Sequence, residues 1–367
     1  MDFELTPAQQ ALRARARGLA DGVFRERAAR WDAEEAYPWD NVKDLVRAGL
    51  MGITIPKAYG GPGGSVLDVL LVVEEVARSC GVTARIVVEG SLGVVGALTA
   101  YGTEAQKRRY FPWVLEDGEK PAIAITEPEA GSAATDLVTR ADEAPEGWTL
   151  GGEKRWITGA GTSRLYLVYC RMGDRPGAEG IGGIFVERDT PGFTVGERDR
   201  TMGLRGIPEG RLRFDRCRVP AEQVLVGPPD GFKRLMRAYN SQRLGAATVA
   251  LGLAQGAYEH ALAYAQARHQ FGGPSRTSRA YAGSWPTWRS SSTRPGSSST
   301  ARPAPQRTAF PSRSRRPRPR PSRRKWPRRS PIRRCRSTAP PAMDAGCRWS
   351  GWCGTRACSP SAAGPWR

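Results

Sequence analysis

The chain has 367 residues and a formal net charge of +20, from 56 Lys and Arg against 36 Asp and Glu, and it is long enough for two or three domains with a sizeable core. A basic surplus of that size ordinarily points to nucleic acid or an anionic membrane surface. Here 22 of the basic residues but only one acidic residue, Asp344, lie from Arg276 onward, leaving 34 basic and 35 acidic residues in Met1–Ser275. All the excess charge therefore lies in the tail. Four of the seven cysteines lie in the basic tail, none follows a CxxC spacing, and the two histidines, His260 and His269, stand apart, so no metal site is expected. Cys80, Cys170 and Cys217 sit in apolar contexts and are expected reduced and buried. The first residues carry Asp2 and Glu4 and no apolar signal core, and no apolar run reaches about 18 residues. A cytoplasmic, non-membrane protein is the expectation.

In chain order, Thr6-Pro7 opens a helix, with a hydroxyl cap followed by proline at the first helical position. Helical patterns run over 5–32, 39–49, 66–80, 82–101 and 103–117, broken by glycine and proline as in Tyr59–Gly64. From about Pro121 the pattern changes to short strand-like runs, among them Ala122–Thr126, Arg155–Thr158, Leu165–Cys170 and Arg211–Phe214. Gly151-Gly152 reads as a tight hairpin turn between two of these runs. After Asp230 the residues Leu244, Ala247, Leu251, Ala254, Tyr258, Leu262 and Ala265 recur at steps of three and four, which predicts one amphipathic helix to about Gln270. The expected fold class is α+β and multidomain. It comprises an N-terminal helical domain (1–119), a middle β-barrel domain (120–228), the start of a C-terminal helical bundle (229–273) and a tail (274–367). The tail is rich in Arg, Pro and Ser and nearly free of Leu, Ile and Val, a composition that predicts disorder.

No P-loop, GxGxxG turn, GxSxG serine or histidine pair with ligand spacing is present. Three segments do carry a likeness. They are Ile123-Ala124-Ile125-Thr126-Glu127-Pro128-Glu129-Ala130-Gly131-Ser132, Gly152-Glu153-Lys154-Arg155-Trp156-Ile157-Thr158, and Arg268-His269-Gln270-Phe271-Gly272. Supporting stretches are Met202–Gly206, Val219–Glu222 and Asn240–Arg243. In order and spacing across about 270 residues this set resembles the acyl-CoA dehydrogenases. The resemblance implies FAD as cofactor, a CoA thioester substrate, an electron acceptor such as electron-transfer flavoprotein, and a homo-oligomer.

A flavin needs a flat apolar wall and hydrogen bonds to its polar edge. By resemblance Ile123, Ile125, Trp156 and Ile157 supply the wall, Thr126 meets the pyrimidine edge and Thr158 the N5 region. Ser132 would meet the pyrophosphate or the acyl-CoA. Arg268 and Phe271 would bind the FAD of a neighbouring subunit, and Asn240 and Arg243 the thioester arm. Where the family usually has aspartate after Gly-Ser, this chain has Ala133, which weakens local capping.

The α-proton abstraction of the family needs a carboxylate. One of its two places is Gln242, a neutral amide. Arg85 stands in an otherwise apolar helix where the family usually has a neutral residue. Arg85 and Gln242 without a carboxylate base resemble the 3-sulfinopropanoyl-CoA desulfinases of the same superfamily, in which an arginine would clamp a sulfinate. Pairing of Arg85 with Glu89, one turn on, is the structural alternative.

The resemblance ends near Pro274. Read one base out of frame, Cys347–Pro365 permits P-L-E-R…R-D-A-R…I-G-G-G-T, close to the family's closing segment. Lys325–Arg334 and Trp285–Trp288 permit further family-like readings in the right order. A frameshift is therefore expected, and with it an inactive truncated product as an alternative description. A basic, nucleic-acid-binding arm over Arg313–Arg336 is the other alternative.

Overall fold

The computed structural model describes residues 4–270 and 272–275. The expected disorder, frameshift and basic-arm readings, and the Phe271 assignment, lie outside the described residues.

The N-terminal part is helical. Helix α1 (Pro7–Leu19) starts on a reciprocal cap in which Gln9 N donates to Thr6 Oγ1 and Thr6 N donates to Gln9 Oε1, with Pro7 at the first position. The predicted 5–32 helix is interrupted by a π-helical turn, Ala20–Phe24, where Gly22 leaves helical geometry, before α2 (Arg25–Glu34). Next come α3 (Trp39–Arg47), α4 (Val66–Ala77), α5 (Gly81–Ser91), α6 (Val94–Tyr101) and α7 (Glu104–Leu115). The cap of α1 recurs at Ser65/Asp68 on α4 and Thr103/Gln106 on α7.

The predicted 82–101 helix is two helices. Gly93 takes φ +57 between α5 and α6, and the last turn of α5 is tied down by Ile53 N donating to Ser91 Oγ and by Thr54 Oγ1 donating to Ser91 O. The apolar stretch Gly81–Tyr101 satisfies the length and composition of a membrane span, yet 89 % of its 18-residue apolar window is buried inside the fold.

The middle part is a sheet of β1 (Ala122–Ala124), β2 (Arg140–Ala144), β3 (Gly147–Thr158), β4 (Leu165–Met172), β5 (Ile181–Glu187), β6 (Phe193–Asp199), β7 (Glu209–Val219) and β8 (Val224–Val226). The strand order is β6-β7-β3-β2-β4-β5-β8, with β1 parallel to β4. Strands β6 and β8 end the path without pairing to each other, so the expected barrel is an open sheet.

The expected hairpin at Gly151-Gly152 is also corrected. Strand β3 continues through these glycines, with a register shift against β7 between Leu150 and Gly152, and the β2–β3 turn lies at Ala144–Gly147. Gly152 is required by close approach instead, since a methyl carbon there would stand 2.8 Å from Thr139 Cα.

Helix α8 (Gly231–Ala267) returns over α4, α5 and α6, and short strands β9 (His269–Gln270) and β10 (Gly273–Pro274) follow it. One apolar core lies among α1–α5 and takes in Val249 of α8. A second joins α6 and α7 to the sheet, with Tyr110 5.3 Å from Phe185 and Leu235 of α8 beside them. A third lies within the sheet. Each fully buried aromatic or aliphatic side chain contributes about 1.5–3 kcal/mol, so the second core holds helices and sheet in one register. Cys80, Cys170 and Cys217 are buried free thiols as expected, and burial pushes the Cys170 thiol up to about 12.

Candidate active site

The end of β1 and the end of β3 are tied together. Arg155 N donates to Thr126 O at 2.9 Å, and Lys154 Nζ donates to Ile125 O at 2.9 Å. Thr126 therefore lies against a segment three residues short of Thr158.

Between them the chain kinks. The β3–β7 register shifts between Lys154 and Ile157, and Trp156 takes the left-handed φ of +55 with its side chain 52 % exposed. A bulky residue seldom adopts that conformation, and it is one that sets the indole on the outside. Arg155 stands over the Trp156 ring at 5.3 Å. Ile157 turns the other way, 2 % exposed in the sheet core. Its side chain packs the core, so the expected flavin contact from it is corrected to a backbone one at most. Ile123 and Ile125 are half-buried against the helix–sheet core.

The loop after Thr126 is clipped at both ends by Glu127. This carboxylate accepts from Val138 N at 2.6 Å, Thr139 N at 2.9 Å and Lys154 Nζ at 2.8 Å. Burial pushes the Glu127 carboxyl up, but Lys154 and the loop donors outweigh it and hold it below the usual carboxylate range. Ser132 is exposed within that loop.

A second charged group lies beside Thr158. Glu89, 4 % exposed, accepts from Arg85 Nε at 2.9 Å and from Lys120 Nζ at 2.8 Å, and Lys120 is 1 % exposed. Gly159, at φ +91, makes room for that lysine: a methyl carbon there would overlap Lys120 Nζ and Ser163 Oγ. Thr158 Oγ1 donates to Glu209 Oε1 at 2.6 Å. Arg85 is thus paired with Glu89, and its terminal nitrogens make no hydrogen bond among the described residues.

On α8, Gln242 faces inward and is 6 % exposed, with its Oε1 pressed on Gly93 and lacking any hydrogen-bond partner among the described residues. A buried acceptor without a donor calls for a ligand or water. A methyl carbon at Gly93 would also come within 3.2 Å of Ile123 Cδ1, which places Gln242 at the back of β1. Asn240 and Arg243 lie on the exposed side of the same helix, joined by Arg243 Nη1 donating to Asn240 Oδ1 at 3.1 Å. The structure therefore separates them from Gln242. Arg268, exposed at the end of α8, contributes its carbonyl to Ser275 N at 2.7 Å. Among the described residues no His, Cys, Asp or Glu cluster could hold a metal.

Sequence reasoning missed Glu209 and Lys120. Neither belongs to a local motif, and only strand register and tertiary packing bring them to Thr158 and Glu89.

Family models match along the chain: the acyl-CoA dehydrogenase N-terminal domain over residues 6–117, the middle domain over 122–217 and the C-terminal domain over 229–283. The chain belongs to the acyl-CoA dehydrogenase family. Its third match extends past Pro274, where the sequence likeness was expected to end. The chain is 49 % identical over 279 residues to 3-sulfinopropanoyl-CoA desulfinase of Cupriavidus necator, covering 74 % of this chain and 70 % of that one.

Among solved structures it resembles butyryl-CoA dehydrogenase of Megasphaera elsdenii, with a TM-score of 0.76 at 30 % identity over 80 % of this chain and 78 % of that one. A glutaryl-CoA dehydrogenase of Mycobacterium smegmatis, solved in complex with FADH2, gives a TM-score of 0.72 at 26 % identity over 80 % and 74 %. As a member of this acyl-CoA dehydrogenase family the chain is an FAD-dependent flavoenzyme. Its own residues fit that group: the exposed Trp156 indole follows Arg155, whose N bonds Thr126 O, and Thr126 and Thr158 are both partly exposed at the strand ends.

Proposed function

We propose that the chain holds FAD on the outer side of the β1 and β3 ends and acts at the Cα–Cβ bond of a CoA thioester. The observation that carries this reading is the Arg155–Thr126 hydrogen bond, which brings Thr126, Trp156 and Thr158 into one short stretch of surface. FAD, when bound, supplies the hydride acceptor. Thr126 and Thr158 offer hydroxyls to the ring's polar edge, and Trp156 shields that edge from water. Ser132, in its tethered loop, and the Asn240–Arg243 pair hold the anionic and thioester parts of the substrate. Arg268 reaches the FAD of a neighbouring copy in a homo-oligomer, and an electron-transfer flavoprotein takes the electrons away.

The test is purification of the full chain followed by a visible spectrum. A flavin spectrum that weakens in Thr126→Val and Thr158→Val is expected, and a colourless protein that takes up no added FAD would end this reading.

A second reading, sulfite release from 3-sulfinopropanoyl-CoA, is favoured by Gln242. A buried neutral amide cannot abstract a proton, whereas C–S cleavage with sulfite loss needs no net flavin redox change. The terminal nitrogens of Arg85 suit a sulfinate, and the 49 % identical desulfinase supports the choice. Sulfite appearing while the flavin stays oxidised, and disappearing in Arg85→Met, is the expected result. Reduction of an electron acceptor with straight-chain acyl-CoA, and no sulfite, would return the assignment to dehydrogenation. We also infer that the basic tail is the parent gene read one base out of frame. Resequencing the gene through the region coding for the tail checks this, and an intact frame on both sides removes it.

A further inference from the structure

We infer that Glu209 is a positioning residue for the flavin: by accepting the one hydrogen bond the Thr158 hydroxyl can donate, it decides whether that hydroxyl meets the ring as a donor or as an acceptor. The inference rests on the reading that Thr158 faces the ring, and it adds a partner that no local motif contains.

The geometry is built into the sheet. Thr158 and Glu209 are register partners on β3 and β7, and Gly159 N donates to Pro208 O at 2.7 Å directly beside them. The two side chains are therefore held by backbone on both strands. Their 2.6 Å contact lies in the range of a hydroxyl bonded to a charged oxygen. A threonine hydroxyl has one proton and two lone pairs. With Glu209 ionised, that proton is committed to the carboxylate and Thr158 offers only lone pairs outward. With Glu209 protonated, the carboxyl donates to Thr158, whose own proton then turns outward. The polar edge of an oxidised isoalloxazine consists mainly of acceptors, so it is met well in the second state and poorly in the first.

The surroundings keep both states in reach. Burial pushes the Glu209 carboxyl up, and Glu89 on α5 pushes the same way. Thr158 on β3, Arg85 on α5 and Lys120 ahead of β1 pull it down without cancelling the rise. From β6, Asp199 lies opposite Glu209 in register, 4.0 Å from the Arg155 guanidinium. Glu209 thus titrates above the usual carboxylate range while facing a hydroxyl at the cofactor surface.

The experiment uses the full chain, added FAD, and a titration of FAD affinity and visible spectrum against pH in wild type, Glu209→Gln, Thr158→Val and Thr158→Ser. Wild type is expected to bind oxidised FAD more tightly on the acid side, with a matching shift of the visible band. Glu209→Gln, whose amide does not titrate, loses that pH step. Thr158→Ser keeps the step and Thr158→Val loses it. If Glu209→Gln retains the wild-type step while Thr158→Val still alters the spectrum, the role of Glu209 is overturned and Thr158 keeps its place. A spectrum indifferent to Thr158→Val, or no FAD uptake by wild type, overturns both.

Discussion

Two lysine–glutamate pairs, both nearly closed to solvent and both 2.8 Å long, do different work in this molecule. In Lys154–Glu127 the remaining partners are main-chain groups: Val138 N and Thr139 N on the carboxylate, Ile125 O on the ammonium. In Lys120–Glu89 the other carboxylate oxygen goes to the Arg85 side chain, which is 19 % exposed. The first pair is finished inside the backbone and can only hold it. The second ends in a guanidinium with nitrogens to spare, beside Thr158 and Glu209. Burial alone therefore does not tell a clamp from a site component; what distinguishes them is whether the last partner is main chain or a side chain reaching toward solvent.

That contrast can be broken most forcefully at the clamp. Glu127→Ala leaves Lys154 charged and enclosed, and removal of one partner from a buried pair costs about 3–5 kcal/mol. Chemical denaturation of the variant against wild type measures it, and a loss well under that range would show the clip to be incidental. Because Lys154 and the loop donors hold the Glu127 carboxyl down, its contribution is present above the ordinary carboxyl value of 4.5 and is lost as pH falls through its lowered folded value.

At the second pair the expected effect is smaller. Gly159→Ala forces a side chain into φ +91 and displaces Lys120, at about 1–3 kcal/mol of backbone strain, while Arg85 still neutralises Glu89. Thermal unfolding gives the stability change, and a shift in the flavin spectrum of the same variant would show that Lys120 supports the Thr158 turn.

The smallest effect concerns Glu209. Its folded carboxyl is raised, so the stability it contributes is present below the ordinary value of 4.5 and is lost as pH rises through the raised folded one. Glu209→Gln does not lose it. The two melting curves should coincide in acid and separate toward neutral pH with the variant the more stable, and parallel curves would refute the assignment.

Much of this fold was legible from local chemistry. Thr6, Pro7 and Gln9 form the expected helix start because a cap is decided within four residues. The recurrence at steps of three and four announced α8 as a helix but not its buried face: Leu244, Ala247 and Ala254 of the expected stripe are exposed, and Gln242, Gly245, Thr248, Val249 and Gly252 turn inward instead. The Thr126 and Thr158 motifs were legible as short runs, and the Arg85–Glu89 pair as an i, i+4 spacing. What failed depends on distant parts of the chain. Gly151-Gly152 reads the same whether it turns a strand or lets Thr139 approach, and only the β2–β3 register decides. Gly93 breaks an apolar stretch because the 53–54 segment captures Ser91, which no helical periodicity records. Glu209 reaches Thr158 across 51 residues through strand pairing, and the alternation around Ile157 was hidden by the kink at Trp156.

The Glu127 clip has one more consequence. Because a single carboxylate fastens both ends of the loop to β3, and Arg171 holds Thr135 O and Leu137 O, the exposed residues Gly131–Ala133, with Ser132 among them, span between fixed anchor points. Exchanges in the exposed middle of that span can retune which phosphate or acyl group is gripped while the sheet beneath keeps its shape. The loop is an exchangeable cassette whose ends, Glu127 and Thr139, tolerate no such freedom.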